Sequence, residues 1–430
     1  MMLRIAPSTA LLLTVLFYQP SLAADTLPEP LTLEYALELA TRSDHPDLLK
    51  VQAHMADADA DLGLVDTEND VQASVSGGLR LIEPSDVAYD QRNNDSYLQL
   101  NISKRLYDFG RTEAAEQAAD AAIKGGKYRL LDVRQNRYLD VMQRFFDVML
   151  ADLRNAKESE AMAVAFVRLD KARARVEMKQ LSDLELLALE QDYQQARLRL
   201  TESGNAQRGA RARLALALNR PGQLSSELRH AKLTAMQRPL PELERLNQQI
   251  LEANPLLQAL RAELRREREK VAQARAEQKP LLTGRIGAAA YVREMGSYNP
   301  IAAEVALEIP LFAGERVEAK AAKARSGVLM KSAEFKSVEL DAQRRATELW
   351  LELQDLKVKK EALKASADYR EMNLDRSRAL YEMEVNTNLG DAMVRISQQR
   401  LEEAQLDYRA EMLWAEIDAL TAKLLKRNQN

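Results

Sequence analysis

Proline placement decides what most of this chain can become. No proline stands between Pro84 and Pro221, and none follows Pro310. An interior proline costs a helix about 3 kcal/mol, so these stretches are where helices can run without interruption. They are filled with Ala, Leu, Glu, Arg and Gln, all strong helix formers. Two rods are expected, Arg111 to Gln180 and Arg316 to Val385, each 70 residues by count. At about 1.5 Å per residue each spans roughly 100 Å. Ala118 and Ala122, and Leu349, Leu353 and Leu356, recur at the spacing of helices that pack on other helices. Gly125, Gly126 and Gly327 are the places where a rod would soften or kink.

The rods echo each other. Leu106-Tyr107 is answered by Leu311-Phe312, and Arg111-Thr112-Glu113-Ala114 by Arg316-Val317-Glu318-Ala319. Glu177-Met178 is answered by Glu382-Met383, and Leu184 by Leu389, always 205 residues on (316 − 111 = 205). His45-Pro46-Asp47-Leu48 is answered by Asn254-Pro255-Leu256-Leu257 at an offset of 209 (255 − 46 = 209), a difference one loop absorbs. A constant offset across different landmarks reads as an internal duplication. The chain then divides into a signal peptide (1–23), a first repeat (24–220), a linker (221–240) and a second repeat (241–430). The signal peptide rests on Arg4, the apolar run Ala10 to Tyr18 and the small-x-small site Ser21-Leu22-Ala23. That run is too short to span a bilayer.

Each repeat carries one stretch of period two just before its rod. Val71, Ala73, Val75, Gly77, Leu79 and Leu81 alternate with polar residues, as do Leu98, Leu100 and Ile102. In the second repeat the alternating sets are Leu282 to Val292 and Ile301 to Ile309. The hairpins are expected over about 71–105 and 281–310. Alternation over about ten residues is the mark of a transmembrane β-strand, apolar outward and polar inward. Tyr107, Phe109 and Phe312 sit at the helix end of these strands, and Tyr89, Tyr97, Tyr291 and Tyr298 flank the turns, as two interfacial girdles would. Two soluble hairpins packed on helices are the alternative. Four strands cannot close a barrel and an open edge cannot sit in lipid, so several copies must combine; three copies of four strands make twelve.

Little else is suggested by composition. The net charge of −4 marks no nucleic-acid face, and zero Cys leaves no disulfide, thiolate or lipidated Cys. Three histidines, His45, His54 and His230, show no metal-ligand spacing, and no nucleophile elbow or phosphate loop occurs. No enzyme activity, cofactor or metal is expected.

The ordered set Leu31-Thr32-Leu33-Glu34-Tyr35-Ala36-Leu37, Pro46, Leu106-Tyr107-Asp108-Phe109-Gly110-Arg111 and Pro310-Leu311-Phe312-Ala313-Gly314-Glu315-Arg316 resembles the TolC-like outer membrane efflux proteins. The resemblance covers the whole mature chain. It implies a mainly α fold with a membrane β-barrel part: a homotrimer whose long helical hairpins form a periplasmic tunnel below a twelve-stranded barrel in the cell outer membrane. It also implies a passive exit duct for a tripartite efflux pump or type I secretion system, working with a periplasmic adaptor (membrane fusion) protein and an inner membrane transporter. A periplasmic coiled-coil adaptor or scaffold is the alternative.

On this resemblance the stretches around Glu177-Met178 and Glu382-Met383 are the periplasmic tips. Ser182-x-x-Glu185 has the form of a capping box that restarts a helix, and Asn386, Thr387 or Asn388 would cap the second restart. Lys179 and Glu384 stand where the family has Gly, which implies an altered turn. Glu185 matches an acidic position six residues beyond; in the second tip Gly390 takes that place and Asp391 follows one residue late. The gate candidates are Glu185, Tyr381, Asp391 and Arg395, with Tyr381 donating to Glu185. Lys179, Ser182, Glu384 and Thr387 are the candidates for turn and adaptor contact.

Overall fold

A computed structural model describes residues 27–42, 44–223, 226–229, 233–296, 298–312, 314–383 and 388–426. The expected signal peptide, His230, Asn386 and the tip candidates Glu384 and Thr387 lie outside them.

The long rods form where the proline gaps allow. α1 (Leu33–Thr41), α2 (Pro46–Asp66), β1 (Gln72–Gly78), β2 (Tyr97–Tyr107), α3 (Arg111–Glu177) and α4 (Asp183–Ala217) come first. α5 (Leu243–Ala253), α6 (Pro255–Ala276), β3 (Leu281–Tyr291), β4 (Ile301–Glu308), α7 (Arg316–Glu382) and α8 (Leu389–Leu420) follow in the same order. α3 and α7 each hold 67 residues, about 100 Å of helix. Both are unbroken at the glycines expected to soften them. Gly125 faces α6, where a Cβ would sit in ordinary contact with the Ala259 carbonyl and the Ala262 Cβ at 3.5 Å.

The paired His-Pro and Asn-Pro sequences are helix starts. His45 Nδ1 accepts from the Asp47 N–H at 3.2 Å, and Asn254 Oδ1 from the Leu257 N–H at 3.1 Å. The proline that follows each sits where its missing N–H costs nothing. At the start of α3, the Asp108 carboxylate accepts from the N–H groups of Gly110, Arg111 and Thr112. That closes the turn between sheet and rod.

The helices stand side by side. α2 packs on the first part of α3, where Met55 meets Gly126, and α4 on the second, where Ser203 donates to Asn155 at 3.0 Å. On its other side α3 meets α6, then α8, and these in turn meet α7. The row therefore reads α2 and α4, then α3, then α6 and α8, then α7. Its thickest core lies at mid-height. Phe145, Phe146 and Val141 of α3 are buried against α1 and the last turns of α4 and α8, and Phe146 stacks on Tyr408 at 4.5 Å. Beside them Leu349 and Leu353 of α7 pack with Ile250 of α5 and Leu413 and Trp414 of α8. The interrepeat segment is bound to this girdle: Arg238 forks onto Asp418 at 2.8 and 2.9 Å and lies over the Trp414 ring.

The four strands make one antiparallel sheet in the order β1-β2-β3-β4. Its register lines the apolar sets up across all four strands. One row is Val75, Leu100, Ala288, Ile301, and the next is Ala73, Ile102, Ile286, Ala303. The alternate row Gln72, Ser103, Arg285, Glu304 is polar, with Arg285 and Glu304 paired at 3.7 Å. The β1 ladder breaks after Gly78 and resumes in the same register at Leu81 opposite Asn94, with the Asp95 N–H donating to the Arg80 carbonyl at 2.8 Å and the Ile82 N–H to the Asn93 carbonyl at 2.9 Å.

Candidate functional site

The end of the helix row far from the sheet is built by two hairpin turns. At the first, α3 closes with the Gln180 N–H donating to the Arg175 carbonyl at 2.8 Å and the Lys179 N–H to the Val176 carbonyl at 2.9 Å. This paired closure needs a left-handed residue, and Lys179 supplies it with φ of 59°. At this first turn lysine adopts the left-handed conformation that glycine usually takes. It can do so because its side chain points into open surroundings and the two hydrogen bonds offset the strain.

α4 then starts on the expected capping box. Ser182 Oγ accepts from the Glu185 N–H at 3.3 Å, and Glu185 Oε2 accepts from the Ser182 N–H at 3.0 Å and its hydroxyl at 2.8 Å. Those Ser182 bonds hold the Glu185 carboxyl below the usual range. One carboxylate oxygen of Glu185, Oε2, is thus taken up locally. No Glu185–Tyr381 hydrogen bond exists among the described residues, and Tyr381 is exposed. The reason is the order of the row: α4 is on one side of α3, while α7 lies beyond α8.

At the second turn α7 ends at Glu382 with Met383 as its cap, and Asn388 stands at the start of α8. Asn388 makes no side-chain cap. The glycine that displaces the expected acid has a packing cause. A Cβ at Gly390 would lie 2.8 Å from Val164 Cγ2 of α3. Asp391 turns instead to Arg168 of α3, Oδ1 to Nη2 at 2.5 Å. Arg395 follows one turn later, exposed and without an ion pair among the described residues. Arg168 and Val164 were invisible to sequence reasoning. They sit more than 220 positions from their partners, and no periodicity marks them.

Between the tip and mid-height each hairpin is stitched by its own cross-links. α3 and α4 are joined by Asp152–Arg211 (2.6 Å) and Arg173–Glu190 (2.8 Å). α7 and α8 are joined by Glu352–Arg409 (2.6 Å), Arg370–Glu402 (3.0 Å), and the pairs Arg345–Glu416 and Lys360–Asp407.

Both outer faces of the row are bare. On α7, Leu351, Val358, Ala365, Met372 and Ala379 are exposed at strict seven-residue spacing, the seam spacing of a coiled coil. On α4 the exposed apolar residues include Leu184, Leu187 and Leu198.

A sheet with one apolar face, joined to rods of this length, has counterparts. Residues 246–423 match the family profile of the outer membrane efflux proteins. The matched stretch runs from within α5 to just past the end of α8. It is 28% identical over 285 residues to the cobalt-zinc-cadmium resistance protein CzcC of Cupriavidus metallidurans, a match covering 66% of this chain and 64% of the relative's length. The fold as a whole is similar to that of solved outer membrane channels. Against a CusC crystal structure the TM-score is 0.72 at 17% identity, covering 92% of each chain. Against the CmeC outer membrane channel of Campylobacter jejuni it is 0.73 at 14% identity, covering 93% of this chain and 89% of that one. Against the open state of MtrE from Neisseria gonorrhoeae it is 0.68 at 16%, covering 91% and 89%.

Proposed function

We propose that this protein is the outer membrane exit duct of a tripartite efflux or secretion system. It assembles as a homotrimer, with its barrel in the outer membrane and its helical tunnel in the periplasm. The observation that carries the reading is that one protomer is unfinished in two ways. The sheet has an apolar face and two open edges, which lipid does not tolerate. The helix row ends in two bare apolar stripes, one on α7 and one on α4. Rotation about one axis satisfies both at once, setting β4 beside the next β1 and α7 beside the next α4. Three copies yield the twelve-stranded barrel.

The duct is passive. Force and cargo choice come from an inner membrane transporter coupled through a periplasmic adaptor, which would contact the tip turns around Lys179, Ser182, Glu384 and Thr387. In the trimer Tyr381 of one copy comes to face Glu185 of the next, so a lock between them joins copies rather than helices of one chain. The test is fractionation of cells producing the full chain: heat-modifiable trimers in the outer membrane support the duct, and a soluble periplasmic monomer supports the scaffold alternative and sinks it. The CzcC relative favours divalent metal ions as the exported cargo. A deletion strain that is no more sensitive to cobalt, zinc or cadmium than its parent would remove that reading while leaving the duct.

A further inference from the structure

We propose that Lys104 is a binding site for an anionic phospholipid, whose headgroup phosphate it holds at the helix end of the sheet. This deepens the duct reading and rests on its membrane barrel. The register puts Lys104 on the apolar face. It stands opposite Gly284, which in turn stands opposite Val305, and this row continues those of Leu100 and Ile102. The next row toward the helices is Tyr107, Leu282 and Leu307. Among the described residues of the four strands, Lys104 is the one charged residue on this face. A bulge between Arg105 and Tyr107 sets two successive residues on the same side. Leu106 Cδ1 lies 3.4 Å from where a Gly284 Cβ would stand, and Tyr107 takes the place opposite Leu282. The lysine is thereby followed by an apolar step and an exposed tyrosine.

Lys104 is exposed and has no ion pair or hydrogen bond among the described residues. Its neighbour Arg105 lies on the other face and pairs with Glu68 at 2.7 Å. No acid of another copy serves Lys104 either. β2 lies between β1 and β3, so closing the barrel adds strands only beyond β1 and β4. A lysine on a lipid face is costly at mid-depth and tolerated near a headgroup layer. Lys104 stands three residues before Tyr107, the end of β2. That is about 10 Å along the strand, and less in depth because barrel strands tilt. Its apolar stem can lie along Leu106 and carry the ammonium to the headgroups. Tyr107, with Phe109 edge-on at 4.6 Å, and the exposed Leu311 and Phe312 mark that level, as an aromatic belt does. In the duct's orientation this is the periplasmic leaflet. The anion that completes Lys104 is therefore a phosphate brought from the lipid side, on acyl chains that lie along the apolar rows.

The experiment places the full-length protein in phosphatidylcholine vesicles containing a minor share of phosphatidylglycerol and re-extracts it in mild detergent. Mass spectrometry then measures the phosphatidylglycerol that stays bound, relative to phosphatidylcholine. The parent should be enriched in phosphatidylglycerol. Lys104→Gln should lower the enrichment about fivefold, the factor that corresponds to about 1 kcal/mol per lysine at a charged membrane surface. Lys104→Arg should keep it. Lys104→Leu, which completes the apolar row, should insert as well as the parent and lose the enrichment. Excess inorganic phosphate should leave the bound lipid in place, and its displacement would overturn a lipid as the source of the anion. The inference is also overturned if Lys104→Gln and Lys104→Leu keep the parent's enrichment, or if the parent shows none. A parent protein that inserts into no vesicle and forms no trimer would count against the duct reading itself and remove this inference with it.

Discussion

Two residues show how a single side chain can carry a turn or a cap. Lys179 pays a left-handed conformation that a branched residue could not adopt. Lys179→Gly is expected to be neutral or to stabilise the tip by up to about 1 kcal/mol, whereas Lys179→Val should cost about 2 kcal/mol. Limited proteolysis at the tip reads the difference: faster cleavage of the Gly variant than of the parent would contradict the strain argument. His45 caps α2 through a neutral Nδ1. Burial, and then the nearby Arg137 charge, hold its pKa below the usual value. A base with a depressed folded pKa contributes its full stability above about pH 6.5 and loses it as the pH falls through the folded value. His45→Asn, which copies the cap of α6, should therefore be less destabilised than the parent between about pH 6.5 and 5. Thermal unfolding across that range checks it; equal slopes for both proteins would refute it.

At the scale of elements, packing decides more than charge. Leu349 is fully buried between α5 and α8, and Glu352 one turn on pairs with Arg409 at the partly exposed edge. Leu349→Ala should cost about 2–5 kcal/mol, and Glu352→Ala less than about 1 kcal/mol, as measured by denaturant unfolding. A larger loss for Glu352→Ala would mean the ladder, not the apolar seam, holds the hairpin. The sheet obeys a similar asymmetry. Leu100 is on the apolar face and Gln99 on the polar one, because neighbours along a strand point to opposite sides. Leu100→Arg should cost about 2–4 kcal/mol near the bilayer midplane and Gln99→Arg far less. The yield of folded protein in the outer membrane separates them, and equal yields would reverse the face assignment or remove the barrel. The alternation in Val71 to Ile102 and Leu282 to Ile309 made these faces legible beforehand. The break in the β1 ladder between Gly78 and Leu81 was not.

For the whole molecule, the order of the helix row determines what can act as a gate. α4 and α7 occupy opposite sides of one protomer, so a Tyr381–Glu185 lock can only close between copies. Each such link is worth roughly 1.5–3 kcal/mol, and the proposed trimer would repeat it three times. Tyr381→Phe with Glu185→Ala should raise single-channel conductance of the trimer. Conductance equal to the parent's would place the lock elsewhere, with Arg395 the next residue to change.

The sequence alone determined the rods, the two hairpins and the faces of their strands. Each of these follows from local rules: proline exclusion and a period of two. It also placed the capping box, whose two members are three residues apart. Only the tertiary structure decided that Lys179 turns left-handed, that Val164 takes the room beside Gly390, and that Asp391 is held by Arg168. These depend on α3 lying against α8, a contact between residues more than 200 positions apart, and no local pattern records which helix becomes the neighbour.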